Sequence, residues 1–264
     1  MRAVEDDSHM NNRLEDKVIV IIGADKGLGG VLARVFASEA AIVVVNYSVN
    51  RTFAESLVAD ISSKGGEAVA IRGVTNNATE IEDLFKTVIQ LYERLDVLVN
   101  NSEIYNPLPA EEKSDISFPA HMEFSTYTYL IAIDKAAKYM VRGGSVLNIS
   151  SLETFSPPSN SSLLEPVSRT VERLTLALSS ELAARSIRVN MIKAKIFFNK
   201  EPSELGRHAC LSEHIKGRVQ LSAERVKSTN YPNDDILSTA VFLVSDESKW
   251  INGKLFLSFG SYPG

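Results

Sequence analysis

Three glycines spaced as Gly23-x3-Gly27-x-Gly29 are the residues whose type and spacing most directly imply chemistry. They follow an apolar β-branched run, Val18–Ile22, and precede the apolar-periodic segment 31–37, so a strand, a glycine turn and a helix N-terminus come in order. Glycines let the backbone turn sharply and approach a ligand, and the helix amides and dipole offer a seat for a pyrophosphate. The same turn can serve only to pack a helix onto a strand, and the spacing leaves both readings open. His208, Cys210 and His214 fall close together and suggest a metal, but no fourth ligand stands out, so no metal site is expected. Glu153, Glu165, Lys193 and Lys195 are the remaining titratable candidates, and they read as solvated loop charges.

The elements that would position these groups follow from hydrophobic periodicity. After the first unit, strands are expected at 41–46, 68–72, 97–99, 145–149, 187–192 and 255–259. Helices are expected at 52–64, 79–92, 122–140, 167–184 and 234–244, with proline-rich or polar loops at 107–119 and 156–165 and a polar helical insertion at 199–233. In the helix at 52–64 the stripe is Phe53, Leu57 and Ile61; in the helix at 79–92 it is Ile81, Leu84, Phe85, Val88 and Leu91. Strands alternating with helices predict a parallel βαβ sheet. At 264 residues with 44% apolar and 23% charged content, one α/β domain over 13–264 is expected, preceded by a disordered or tag-derived segment over 1–12. A net charge of −5 argues against a nucleic-acid partner, and no apolar run reaches the length of a membrane span. The single cysteine, Cys210, excludes an internal disulfide, and with no secretory signal in view a cytoplasmic location is expected.

Four further motifs stand in order on these elements: LVNN at 98–101, GSVLNISS at 144–151, SSELAARSIRVN at 179–190 and SDESKWINGKLFLSFG at 245–260. With the glycine turn, they make the chain resemble the short-chain dehydrogenase/reductase family from about Leu14 to Gly260, and the acyl-carrier-protein reductase type most of all. The resemblance implies an α/β Rossmann-type fold, doubly wound, with a seven-stranded parallel sheet, helices on both faces and a ligand at the carboxyl ends of the strands.

In that family a serine, a tyrosine and a lysine perform the proton transfer, and each must reach the reacting oxygen. Ser151 matches the serine, but the segment LEPVS puts Leu164 at the tyrosine position and Ser168 at the lysine position. Leu164 transfers no proton and Ser168 carries no charge, so Ser151 is expected to persist as a remnant. The supporting asparagine is matched by Ser125. Around the cofactor, Ser102-Glu103 replaces an alanine-glycine pair, Gly73 replaces an aspartate, and Ala194-Lys195 replaces a proline-glycine pair. The resemblance leaves Gly23, Lys26, Gly27, Gly29, Arg51 and Asn100 as cofactor-binding positions, and the second strand ends in Asn46-Tyr47 without an acid. Cations without a carboxylate suit a 2′-phosphate, so either no cofactor or weak NADP(H) binding is expected.

The leading expectation is a catalytically degenerate family member acting as a structural or regulatory subunit. The resemblance offers a parallel in heteromeric dehydrogenases of anaerobic aromatic degradation. The alternative is a pocket redirected to a non-redox isomerisation, cyclisation or elimination, and third comes an NADPH reductase with an unusual site. A homo-oligomer, or a hetero-oligomer with an active paralogue, is expected through the helices at 122–140 and 167–184 and the segment 250–264.

Overall fold

A computed structural model of the chain describes residues 12–24, 27–101, 117–151, 164–194 and 234–258. All five residues of the first strand, β1 (Val18–Ile22), are fully buried, as a strand covered on both faces requires. It is followed by α1 (Gly27–Ser38), β2 (Ile42–Tyr47), α2 (Arg51–Ser63), β3 (Glu67–Arg72), α3 (Ala78–Tyr92) and β4 (Val97–Asn100). The second half contributes α4 (Ser117–Tyr139), β5 (Gly144–Ser151), α5 (Leu164–Glu181), β6 (Ile187–Ala194), α6 (Asp234–Val244) and β7 (Leu255–Ser258). The strands form one parallel sheet in the order β3-β2-β1-β4-β5-β6-β7, so the expected doubly wound, seven-stranded architecture is found.

Alternation along β1 divides the core into two layers. Ile19 and Ile21 pack with Leu32 and Phe36 of α1, Leu57 of α2 and Ala240 of α6. Val18, Val20 and Ile22 face Ile81 and Phe85 of α3 and Ile133 and Ala136 of α4. The helix starts are set by side chains: Asn50 Oδ1 accepts from Phe53 N, and Asn77 Oδ1 accepts from Thr79 N and Glu80 N. No helix among the described residues is long and apolar enough to cross a membrane.

Three departures from the sequence expectation have physical reasons. α4 and α5 begin earlier than periodicity suggests, with Pro119 and Pro166 inside their first turns, where a missing N–H breaks no helical hydrogen bond. Phe53 and Leu91 are exposed at 38% and 55%, because Ala54 takes the buried position in α2 and the last turn of α3 packs on the core through Val88, Ile89 and Tyr92, which leaves Leu91 off that face. β6 runs two residues beyond 192, in register with β5 up to the pair Ser151 and Ala194. The expected insertion at 199–233 lies outside the described residues.

Candidate functional site

The glycine turn sits where the strand order reverses, since β1 pairs with β2 on one side and β4 on the other. That is the switch point at which doubly wound sheets hold their ligands. Gly23 and Gly27 have φ of 74° and 53°, left-handed values that favour glycine. Gly29 answers to a different demand. A Cβ there would stand 2.4 Å from the Gly23 carbonyl oxygen and 2.7 Å from Asn101 Nδ2. Asn101 in turn donates Nδ2 to Gly23 O at 3.1 Å and its backbone N–H to Ile22 O at 3.1 Å, tying the end of β4 to the turn. Packing alone therefore accounts for Gly29. Lys26 and Glu103 lie outside the described residues.

At the end of β2 the buried Asn46 donates Nδ2 to Ile71 O at 3.3 Å and to Gly73 O at 3.1 Å, and Ser48 Oγ donates to the same Gly73 carbonyl at 3.4 Å. A Cβ at Gly73 would lie 3.0 Å from Asn46 Nδ2, so the residue after β3 serves the β2–β3 junction. Asn46 Oδ1 is buried without a partner among the described residues. Arg51, the first residue of α2, is exposed, and its Nε donates to Glu55 Oε1 at 2.7 Å. The carboxylate one turn along offsets part of the guanidinium's pull on a phosphate.

At the ends of β4 and β5 a buried polar chain crosses the sheet. Asn100 Nδ2 donates to Asn148 Oδ1 at 3.0 Å, Asn148 Nδ2 donates to Thr175 Oγ1 at 2.9 Å, and Thr175 donates to Val171 O on α5 at 2.8 Å. Asn100 is thus a fully buried link between strands and α5, with its Oδ1 unpartnered among the described residues. Ser151 and Leu164 are described by their backbones alone, at the last position of β5 and the first of α5. Ser168 is 2% exposed, and Ser150 Oγ donates to Ser168 Oγ at 3.2 Å. Tyr129 of α4 packs with Val171 and Met191 and donates its hydroxyl to Ile149 O beside this pair.

Lys193 corrects the sequence reading. It is no solvated loop residue: it lies in β6, is 3% exposed, and its Nζ donates to Glu172 Oε2 at 3.2 Å. The two extra residues of β6 are the cause, because alternation then puts Lys193 on the same inward face as Val189 and Met191, under α5. Glu172 also lies 3.6 Å from Arg169 Nη1. Beside them a cleft of about 90 Å³ opens between α5 and the β6–β7 edge. It is far smaller than the several hundred Å³ of a typical ligand pocket, so it is not a dinucleotide cleft. Among the described residues no group of three His, Cys, Asp or Glu could hold a metal ion, and His208, Cys210 and His214 lie outside them.

The family model described as enoyl-(acyl carrier protein) reductase matches residues 23–258. An uncharacterised oxidoreductase of Methylorubrum extorquens is 30% identical over 249 residues, 94% of this chain and 98% of that protein. A 3-oxoacyl-[acyl-carrier-protein] reductase of Staphylococcus aureus is 28% identical over 241 residues, 90% of this chain and 94% of its own length. Among solved structures, a dehydrogenase/reductase from Sinorhizobium meliloti superposes with a TM-score of 0.78 at 23% identity, covering 97% of this chain and 98% of the other, which speaks to the fold. With the glycine turn at the switch point of a seven-stranded doubly wound sheet, these matches establish that the chain belongs to the short-chain dehydrogenase/reductase family of oxidoreductases.

Proposed function

We propose that the chain is a catalytically degenerate member of its family, serving as a non-catalytic structural or regulatory subunit beside an active paralogue. The observation that carries this reading is the buried Ser150–Ser168 hydrogen bond. Where the family resemblance calls for a lysine, a short neutral side chain is tied to the neighbouring strand. The nearby cation, Lys193, is held by Glu172 one turn further along α5. Leu164 at the tyrosine position supplies no acid, and loss of a general acid alone lowers a rate by about two to four orders of magnitude. Dinucleotide binding in this reading is absent or weak, favours NADPH through Lys26 and Arg51, and is held back by Glu55.

Co-expression with a complete paralogue tests the role. Light scattering and mass analysis of the purified species are expected to show a mixed dimer or tetramer built through α4, α5 and the C-terminal segment. A chain that stays monomeric at micromolar concentration, alone and with the paralogue, overturns it. The second reading is a pocket redirected to non-redox chemistry, and the buried Lys193–Glu172 pair favours it, since acid and base lie together at the strand ends.

A further inference from the structure

The family resemblance puts a lysine at position 168, where this chain has Ser168, and the fold brings another lysine toward the same seam from the opposite side. Ser168 is buried on α5 and accepts a hydrogen bond from Ser150 Oγ at 3.2 Å. Lys193 is the residue in register with Ser150 across β5 and β6, so the two side chains leave the sheet on the α5 side about 5 Å apart. Lys193 Nζ donates to Glu172 Oε2 at 3.2 Å, and Glu172 stands one turn after Ser168 on α5. Residues four apart on a helix are neighbours, with Cβ atoms about 5–6 Å apart, so a lysine at 168 would have the same carboxylate within reach. Two attachment points, one on the helix and one on the strand, thus converge on a single carboxylate.

The surroundings suit one ammonium and not two. Val171 and Met191 are fully buried beside the pair, with Val167 packed against them, and the Tyr129 hydroxyl next to them donates to Ile149 O. Among the described residues Glu172 is the one carboxylate ion-paired with Lys193, and the same Oε2 lies 3.6 Å from Nη1 of the mostly exposed Arg169. A second buried ammonium would have to share it, and a buried charge without its own counter-ion is costly. Ser168, short and neutral, avoids that penalty.

We propose that α5 and β6 enclose one buried cation site, built on Glu172, which takes a lysine from residue 168 or from residue 193 but not from both. Lys193, by filling it, keeps position 168 small and neutral. Relative to the pattern that the resemblance implies, the buried positive charge is retained and its attachment moves from the helix to the strand. Ser168 is then more than a lost lysine: a lysine cannot return to 168 while Lys193 stays. The assignment of position 168 is shared with the subunit reading above, whereas the cation site concerns stability and stands whether or not a partner subunit binds.

The test exchanges the two side chains. Thermal melting of the full chain at pH 7 compares Ser168→Lys, Lys193→Ser and the double exchange with the parent. Ser168→Lys alone is expected to lower the melting temperature by at least about 6 °C, and adding Lys193→Ser to it is expected to recover more than half of that loss. A Ser168→Lys chain too unstable to purify counts as the larger loss, so recovery in the exchange variant still decides. Glu172→Gln then separates charge from space: it should lower the melting temperature of the parent and of the exchange variant by similar amounts, and that of a lysine-free Ser168→Met, Lys193→Ser chain by less than half as much. An exchange variant no more stable than Ser168→Lys alone, including one that does not fold, overturns the proposal, as does an exchange variant that responds to Glu172→Gln no more than the lysine-free chain. Either failure leaves the subunit reading to the co-expression experiment, and a monomer in that experiment leaves this result standing.

Discussion

Substituting the adjacent glycines of α1 one at a time gives opposite signs. In Gly29→Ala the new Cβ meets Gly23 O at 2.4 Å, Asn101 Nδ2 at 2.7 Å and Ala24 Cα at 3.0 Å, and two of these three are backbone atoms that cannot rotate away. Overpacking of this kind costs about 1–3 kcal/mol. Displacing Asn101 from Gly23 O forfeits a hydrogen bond of about 1 kcal/mol. Alanine's better helix propensity returns about 1 kcal/mol, so the net loss is about 2 kcal/mol. In Gly30→Ala the nearest atoms are Ala24 O at 3.4 Å and Leu57 Cδ2 and Phe53 Cε1 at 3.7 Å, ordinary contacts, so only the propensity gain of about 0.5–1 kcal/mol remains. Urea denaturation of the three proteins measures both values. If Gly29→Ala is as stable as the parent, or Gly30→Ala loses as much as Gly29→Ala, the packing explanation of the turn is wrong. A loss confined to dinucleotide affinity would instead assign Gly29 to a ligand.

Three other outcomes follow from the same geometry. Leu164→Tyr combined with Ser168→Lys should not create NADPH-dependent reduction of an acetoacetyl thioester, because Glu103 and Lys195 remain at the cofactor positions; an increase of about a hundredfold over the parent, within the range a restored general acid supplies, would refute this. Glu55→Gln should tighten NADPH more than NADH by a factor of about 1.5–5, the worth of an exposed ion pair released from Arg51, as calorimetry with both cofactors would read; equal effects would remove Arg51 from the site. Glu82 of α3 is held near a pKa of about 2, first by the Tyr139 hydroxyl at 2.7 Å and then by Lys135 and Lys138 of α4. Its folded value lies below the ordinary one, so the stabilisation is complete above about pH 4.5 and is lost as pH falls toward 2. Tyr139→Phe should therefore lower stability at pH 7 by about 1 kcal/mol, with the difference kept in urea titrations at pH 5 and reduced at pH 3, and a difference independent of pH would contradict the assignment.

The order of elements and the sheet were legible because each strand carries a short β-branched run and each helix an apolar stripe, both local signals. The starts of α4 and α5 were not, because Pro119 and Pro166 signal a break locally while a first turn tolerates them. Gly29 was visible, but its reason was not, since Gly23 and Asn101 come together only when β4 docks beside β1. Asn101 accordingly went unrecognised as the lock on the turn, and the LVNN motif was the available signal. Lys193 was misjudged because a lysine directly after an apolar run reads as a strand end; only the register of β6 with β5, reaching Ser151 and Ala194, carries it inward to Glu172. The identities of Leu164 and Ser168 were plain in the sequence, whereas the Ser150–Ser168 hydrogen bond required the fold.

The central claim is that the chain alone does not move hydride from a nicotinamide to a carbonyl. Incubating the purified chain with NADPH deuterated on the transferring face of C4 and an acetoacetyl thioester, then measuring deuterium in the 3-hydroxyacyl product by mass spectrometry, tests it over many orders of magnitude in rate. The account predicts no deuterated product above the protein-free control, both in the parent chain and in the Lys193→Met variant. Deuterated product formed at about 1 s⁻¹ or faster, within the ordinary range of enzyme turnover, would contradict it.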